Sequence, residues 1–366
     1  MLEQVLHSIR EPDQEARRQA LERQGQLTKP PGSLGRLEEL SVQLAGIQRT
    51  PRPRVRRKAI LTMAGDHGVT AEGVSAYPQE VTAQMVRNFL AGGAAVNVLA
   101  AHAGARVVVV DLGVAADLSG LAGPVGLAAG PSGSAGASGP RLLLRKVAPG
   151  TRNLARGPAM SREQARRSLE AGIEVLAEEA GRGLDIVGLG EMGIGNTTPA
   201  AAITAVMTGT PVLQVTGRGT GLDDEALRRK VGVIEAALAA NRPDPGDALG
   251  VLAAVGGFEI GGMAGAMLAA AARSIPVVVD GFICAAAALI ACGLAPGVRE
   301  YLIASHQSVE VGHQAILRHL ALQPIFNLDL RLGEGTGAAL GIGLVEAAAR
   351  ILEEMATFGQ AGVSNA

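Results

Sequence analysis

Short β-branched runs recur along the chain, each passing through a glycine-rich turn into a longer stretch rich in Ala, Leu, Glu and Arg. KAILTMAGDHG, ARVVVVDLGV, DIVGLGEMGIGN, PVLQVTGRG and IPVVVDGF are the clearest of them. Continuous apolar strands alternating with helical patterns predict parallel βαβ units, with helices on both faces of a sheet and ligands at the carboxyl ends of the strands. Those ends carry Asp66 and His67, Asp111, Glu191, Arg218 and Asp280, so polar chemistry is expected there. Residues 1–24 and 338–366 read as helical, the latter with apolar spacing near that of an α-helix. Terminal helices of this kind predict a small lobe, residues 1–26 plus 338–366, beside a large α/β domain over 27–337. The tract from Ala116 to Pro140 is nearly all Gly, Ala, Ser, Pro, Val and Leu with scarcely a charge, and reads as a mobile excursion within the large domain.

Composition adds the manner of packing. Apolar residues are 48% of the 366, yet Trp is absent and there are only 2 Tyr and 5 Phe. Small side chains must do the filling, which predicts backbones in close approach, as when helices lie tightly on a parallel sheet. The 33 Lys and Arg nearly balance 34 Asp and Glu, so no overall field favours nucleic acid or an anionic membrane, and a small-molecule partner is expected. The basic run from Arg52 to Lys58 reads as a solvated linker. Two unpaired-looking cysteines, Cys284 and Cys292, and a charged N-terminus without a signal-peptide pattern point to a cytoplasmic protein. Arg273, Pro276 and Asp280 break the most apolar region before a span of ~20 residues accumulates, so no membrane partner is expected.

Four polar motifs remain. GLGEMGIGN has G-x-G-x-x-G at Gly188, Gly190 and Gly193, a pattern that lets backbone approach a phosphate at a helix N-terminus, or simply makes a tight turn. No acid stands at the end of the following run for a dinucleotide ribose, which favours a mononucleotide. TGRGTGLDDEALRRK offers Lys230 as a point charge for phosphate, or as an ordinary solvated lysine. RLGEG sets Glu334 between glycines ahead of a helix, where a carboxylate could act as a base or as a cap. His306, Glu310 and His313, with Asp66 and His67, have spacings that suit hydrogen-bonded loops better than a metal site.

Taken in order, LTKPPGSLGRLE, AGDHGV with GVSAYPQEVTAQM, KVAPGTRN, GLGEMGIGNTTPAAA, TGRGTGLDDE, GGFEIGGMAGAM, VVDGFI, ASHQSVEVGH and DLRLGEGTGAAL resemble the nicotinate-nucleotide:dimethylbenzimidazole phosphoribosyltransferases of cobalamin lower-ligand assembly. The resemblance implies a Rossmann-like parallel sheet of about six strands, a small helical lobe from both termini, and a homodimer. It implies transfer of 5-phosphoribose from nicotinate mononucleotide to 5,6-dimethylbenzimidazole, giving α-ribazole 5′-phosphate and nicotinate, with no cofactor or metal. Catalysis would fall to Glu334 as general base. The nucleotide would meet Glu191, Gly193, Ile194, Gly195, Asn196, Lys230, Gly281, Phe282 and Ser308, and the base would meet Tyr77, Pro78, Met85 and Leu332. Water as acceptor, making a glycohydrolase, and a nucleotide-binding module without turnover are the competing expectations.

Overall fold

The computed structural model describes residues 1–121, 139–219 and 221–364. Its strands are β1 Lys58–Gly65, β2 Ala105–Gly113, β3 Arg141–Leu144, β4 Ile186–Met192, β5 Val277–Val279 and β6 Leu302–Ala304. They form one sheet in the order β3-β2-β1-β4-β5-β6, every neighbour parallel. Strand order reverses between β1 and β4, the position where open sheets of this kind leave a crevice beyond their carboxyl ends.

Alternation along β1 sorts the two faces. Ala59, Leu61 and Met63 join one core with the helices Arg162–Gly181, Thr197–Thr208, Phe258–Ala272 and Phe282–Leu294. Ile60 and Ala64 join the other, with the helices Arg36–Gln48, Val81–Leu90, Ala95–His102 and Thr336–Glu354. The shortage of aromatics is met by contact between backbones: a Cβ on Gly172 would run into Gly262 O, and one on Gly265 into Leu169 O. These helices therefore lie closer together than any side chain but hydrogen allows.

PVLQV, expected as a strand, is instead the short helix Val212–Val215. Val212 and Val215 are buried while Leu213 is 70% exposed, the spacing of a helical turn. The place next to β4 is filled, because β4 already pairs β1 and β5. Arg218, expected at a strand end, accordingly lies in the loop beyond, where it pairs with Asp224 at the surface and donates to Leu222 O. The termini do meet: Leu27 bridges Thr357, Arg23 donates to Leu352 O and Glu353 O, and Ala20, Ala45 and Leu352 share a small cluster. The boundary expected at 337/338 falls inside the helix Thr336–Glu354, however, and Ala338, Ala339, Ile342 and Val345 of that helix bury against the sheet. Its start belongs to the sheet layer, and only its last turns to the terminal packing. Of the 116–140 tract, residues 122–138 lie outside those described. Among the described residues no helix is long and apolar enough to cross a membrane.

Candidate active site

An open cavity of about 650 Å³ lies beyond the carboxyl ends of β1, β4, β5 and β6. One wall is the loop Gly333–Glu334–Gly335, with φ of 83°, 64° and 98° in succession. Left-handed backbone is natural for glycine but costs a residue with a Cβ roughly 1–2 kcal/mol, so Glu334 is held by its surroundings. Thr62, the polar position on β1, donates its hydroxyl to Glu334 O at 2.9 Å. Asp280, just past β5, accepts from the N–H groups of Gly335 at 3.2 Å and Ala338 at 2.9 Å, its carboxylate sitting at the start of the helix Thr336–Glu354. Behind the loop, Gly190 of β4 presses directly on the Glu334–Gly335 peptide. Gly188 likewise faces Ile60 and Ala338. The first two glycines of the G-x-G-x-x-G pattern thus let a carboxylate loop and its helix lie on β4, and only Gly193 and Gly195 belong to the turn.

That turn is the opposite wall. Gly193, Ile194, Gly195 and Asn196 line the cavity and lead into the helix Thr197–Thr208, whose first N–H groups have no partner within the helix. The helix Phe282–Leu294, with Gly281 as its N-cap, opens onto the same space. Two helix N-termini on one cavity make an anion-friendly floor. Lys230 is not itself a wall residue. Fully buried behind the turn, it donates to Thr197 Oγ1 at 2.7 Å and Gly217 O at 3.2 Å, and reaches the cavity only through Thr197 and Gly219. Burial pulls its pKa down to about 8.

Glu334 lines the cavity although it is only 5% exposed, and its Oε2 has no hydrogen-bond partner among the described residues. Burial pushes its pKa up, opposed by the Val96 N–H. Glu191 accepts from Asn196, and burial, with Asp280, Glu259 and Glu334 nearby, raises it to about 8. Asp280 is raised to about 7, again chiefly by burial. These protons are bound by the folded chain and released from the unfolded one above 4.5 and 3.8, so folding takes up protons and stability falls as pH rises through about 7 and about 8. The buried His306 and His313, depressed to about 4 and about 3, act in the opposite sense only below 6.5. The unfolding midpoint is therefore expected to fall from pH 6.5 to 8, and less steeply in Glu191→Gln. Thermal melts across that range check it, and a flat or rising profile contradicts it.

Of the residues expected to hold the base, Tyr77, Met85 and Leu332 line the cavity, Tyr77 and Leu332 at its mouth with 55% and 57% exposure. Pro78 does not line it; its carbonyl instead accepts from Val81 N at the start of the helix Val81–Leu90. Ser308 lines the cavity and donates to Leu330 O. Asp280, His306 and Glu310 are among the wall residues to which the sequence assigns no role there. His306 stacks on Phe326 and meets Ser305 Oγ at 3.0 Å, while Glu310 accepts from Gly219 N at 2.9 Å. Their signal is present, Asp280 at a strand end and the other two in the SHQSVEVGH block, whose spacing suits hydrogen-bonded loops better than a metal site but does not place them at a cavity. Among the described residues no group of three or more His, Cys, Asp or Glu gathers as metal ligands would.

A family model described as a phosphoribosyltransferase matches residues 9–363. The nicotinate-nucleotide:dimethylbenzimidazole phosphoribosyltransferase of Roseiflexus sp. strain RS-1 is 57% identical over 364 residues, covering 100% of this chain and 98% of its own. The protein of the same name from Desulforudis audaxviator strain MP104C is 56% identical over 366 residues, covering 100% and 99%. The crystal structure of the enzyme so named from Thermus thermophilus superposes with a TM-score of 0.87 at 48% identity, covering 97% of this chain and 100% of that one. With sheet order, cavity and sequence in agreement along nearly its whole length, this chain belongs to the nicotinate-nucleotide:dimethylbenzimidazole phosphoribosyltransferase family of enzymes.

Proposed function

We propose that the enzyme transfers 5-phosphoribose from nicotinate mononucleotide to 5,6-dimethylbenzimidazole, with inversion at C1′ and Glu334 as general base. The observation that carries this reading is the carboxyl of Glu334, clamped in left-handed backbone, with an Oε2 that has no partner among the described residues, in a cavity also lined by a glycine turn that opens a helix.

The glycosidic nitrogen of nicotinate mononucleotide already bears positive charge, so nicotinate departs as a neutral pyridine and needs no general acid. As one benzimidazole nitrogen attacks C1′ from the far side, the ring's N–H becomes acidic, and Glu334 takes that proton. Rear-side attack turns the β linkage into α. A carboxyl raised by burial is a stronger base than an exposed one, and positioned proton transfer of this kind contributes on the order of 10²–10⁴-fold. The phosphate is received by the N–H groups of Gly193, Gly195 and Thr197, those of Ile194 and Asn196 being donated to Thr82 Oγ1 and Gly193 O, with Lys230 fixing Thr197 from behind; Gly281, Phe282 and Ser308 bound the same ligand. Tyr77, Met85 and Leu332 hold the base, and much of the remaining acceleration comes from keeping it in line with C1′. The acting unit is read as a homodimer, as the family resemblance implies.

Incubation with nicotinate mononucleotide, with and without dimethylbenzimidazole, tests the reading. Nicotinate release is expected to depend on the base and to match α-ribotide formation by mass spectrometry. Equal release in both reactions would identify water as the acceptor and sink the transferase assignment.

A further inference from the structure

Beneath the glycine turn lies a buried pair that the chemistry above leaves unused. His67 follows β1, and Glu259 sits in the first turn of the helix Phe258–Ala272. Both side chains are wholly buried, with His67 Nε2 2.9 Å from Glu259 Oε1. Three chain segments give up their side chains to admit the pair. A Cβ on Gly193 would come 3.1 Å from His67 Nε2, one on Gly257 2.5 Å from His67 Cε1, and one on Gly65 2.9 Å from Glu259 Oε2. Gly193 is also cavity wall, so a single glycine separates the imidazole from the space proposed for the nucleotide.

The charges around the ring come from each element packed on it: Glu259 from the helix, Asp66 from the end of β1, and Glu191 from β4 acting on Glu259. Asp66 is fixed by the Ala115 N–H at 2.8 Å. Burial disfavours the protonated ring, but the Glu259 and Asp66 carboxylates outweigh it, and His67 is raised. Glu191 and Asp280 are raised to about 8 and about 7 and so hold protons near neutral pH, but Glu259 lies wholly buried beside the turn, where an unpaired charge would be costly. A protonated His67 offsets the Glu259 carboxylate and puts the positive end of the pair against Gly193, where the turn's N–H groups begin.

We propose that His67 is a positioning residue for the phosphate end of the nucleotide: clamped by Glu259, its protonated ring props the Gly193 turn and sets a buried positive charge behind the backbone that receives the phosphate. The inference rests on the phosphoribosyl-transfer reading, because it needs a phosphate at this turn.

Calorimetry of nicotinate mononucleotide and of nicotinate riboside, which lacks the phosphate, on wild type and His67→Gln is the test. In the variant the mononucleotide is expected to bind roughly tenfold more weakly, the loss of about 1.4 kcal/mol, while the riboside binds as before. KM for the mononucleotide rises and kcat holds. Parallel weakening of both ligands, or unchanged mononucleotide affinity, overturns the proposal. A wild type that binds the mononucleotide but makes no ribotide refutes the transfer reading instead, and leaves the binding comparison to judge His67. If the variant does not fold, histidine-labelled wild type decides by NMR: a His67 ring still doubly protonated above pH ~6.5, the ordinary imidazole value, that shifts on adding inorganic phosphate supports the role, and a neutral or unresponsive ring defeats it.

Discussion

Glu334→Gln is expected to lower kcat for ribotide formation by about 10²–10⁴-fold while nicotinate mononucleotide still binds. Gln keeps the length and shape of the side chain and adds no Cβ strain to a residue already at φ 64°, so the Thr62 and Asp280 bonds that hold the loop remain. What disappears is the capacity to take a proton. Single-turnover rates with calorimetric affinities separate the two effects. A variant that transfers at the wild-type rate would remove Glu334 from the chemistry, and one that loses affinity as steeply as rate would make it a binding group.

The second large effect is expected from a methyl group on the far side of the same loop. In Gly190→Ala the new Cβ meets the carbonyl of Glu334 and the nitrogen of Gly335, backbone atoms that cannot swing aside as a side chain would. Either β4 or the loop must shift. Overpacking of this sort costs about 1–3 kcal/mol, and misplacing a catalytic group by about 1 Å costs on the order of 10²-fold in rate. Both the melting temperature and kcat are expected to drop. Gly25→Ala, inside the helix Gln14–Gln26 with nothing within 4 Å of the added Cβ, serves as the contrast and should melt at or slightly above wild type. Equal behaviour of the two variants would show that Gly190 does not support the base.

Four of the six strands were legible because they are apolar runs ending in polar residues, and three of them, β2, β1 and β4, are also long, at 9, 8 and 7 residues. The edge strand β6 has only 3 residues and β3 only 4, too few for alternation or length to speak. PVLQV had β-branched composition but no place left beside β4, a fact that exists only once the sheet is assembled. The glycines flanking Glu334 mark its position but leave base and cap open, the catalytic expectation coming from the family resemblance, whereas the contacts of Asp280 depend on two N–H groups more than fifty residues further along the chain. Lys230 looked like one more charge on an amphipathic helix, and only the packing of that helix turns it inward, onto Thr197. His67 was visible too, yet its partner Glu259 lies in another motif, and nothing local joins them.

Tyr77 and Leu332 stand more than half exposed at the mouth, while Glu334, Asp280 and Glu191 are anchored to strand ends within. Under the proposed roles, preference among incoming heterocycles can drift through the rim without disturbing the loop that carries Glu334, so descendants of this sequence can change what is chosen while inheriting how it is joined.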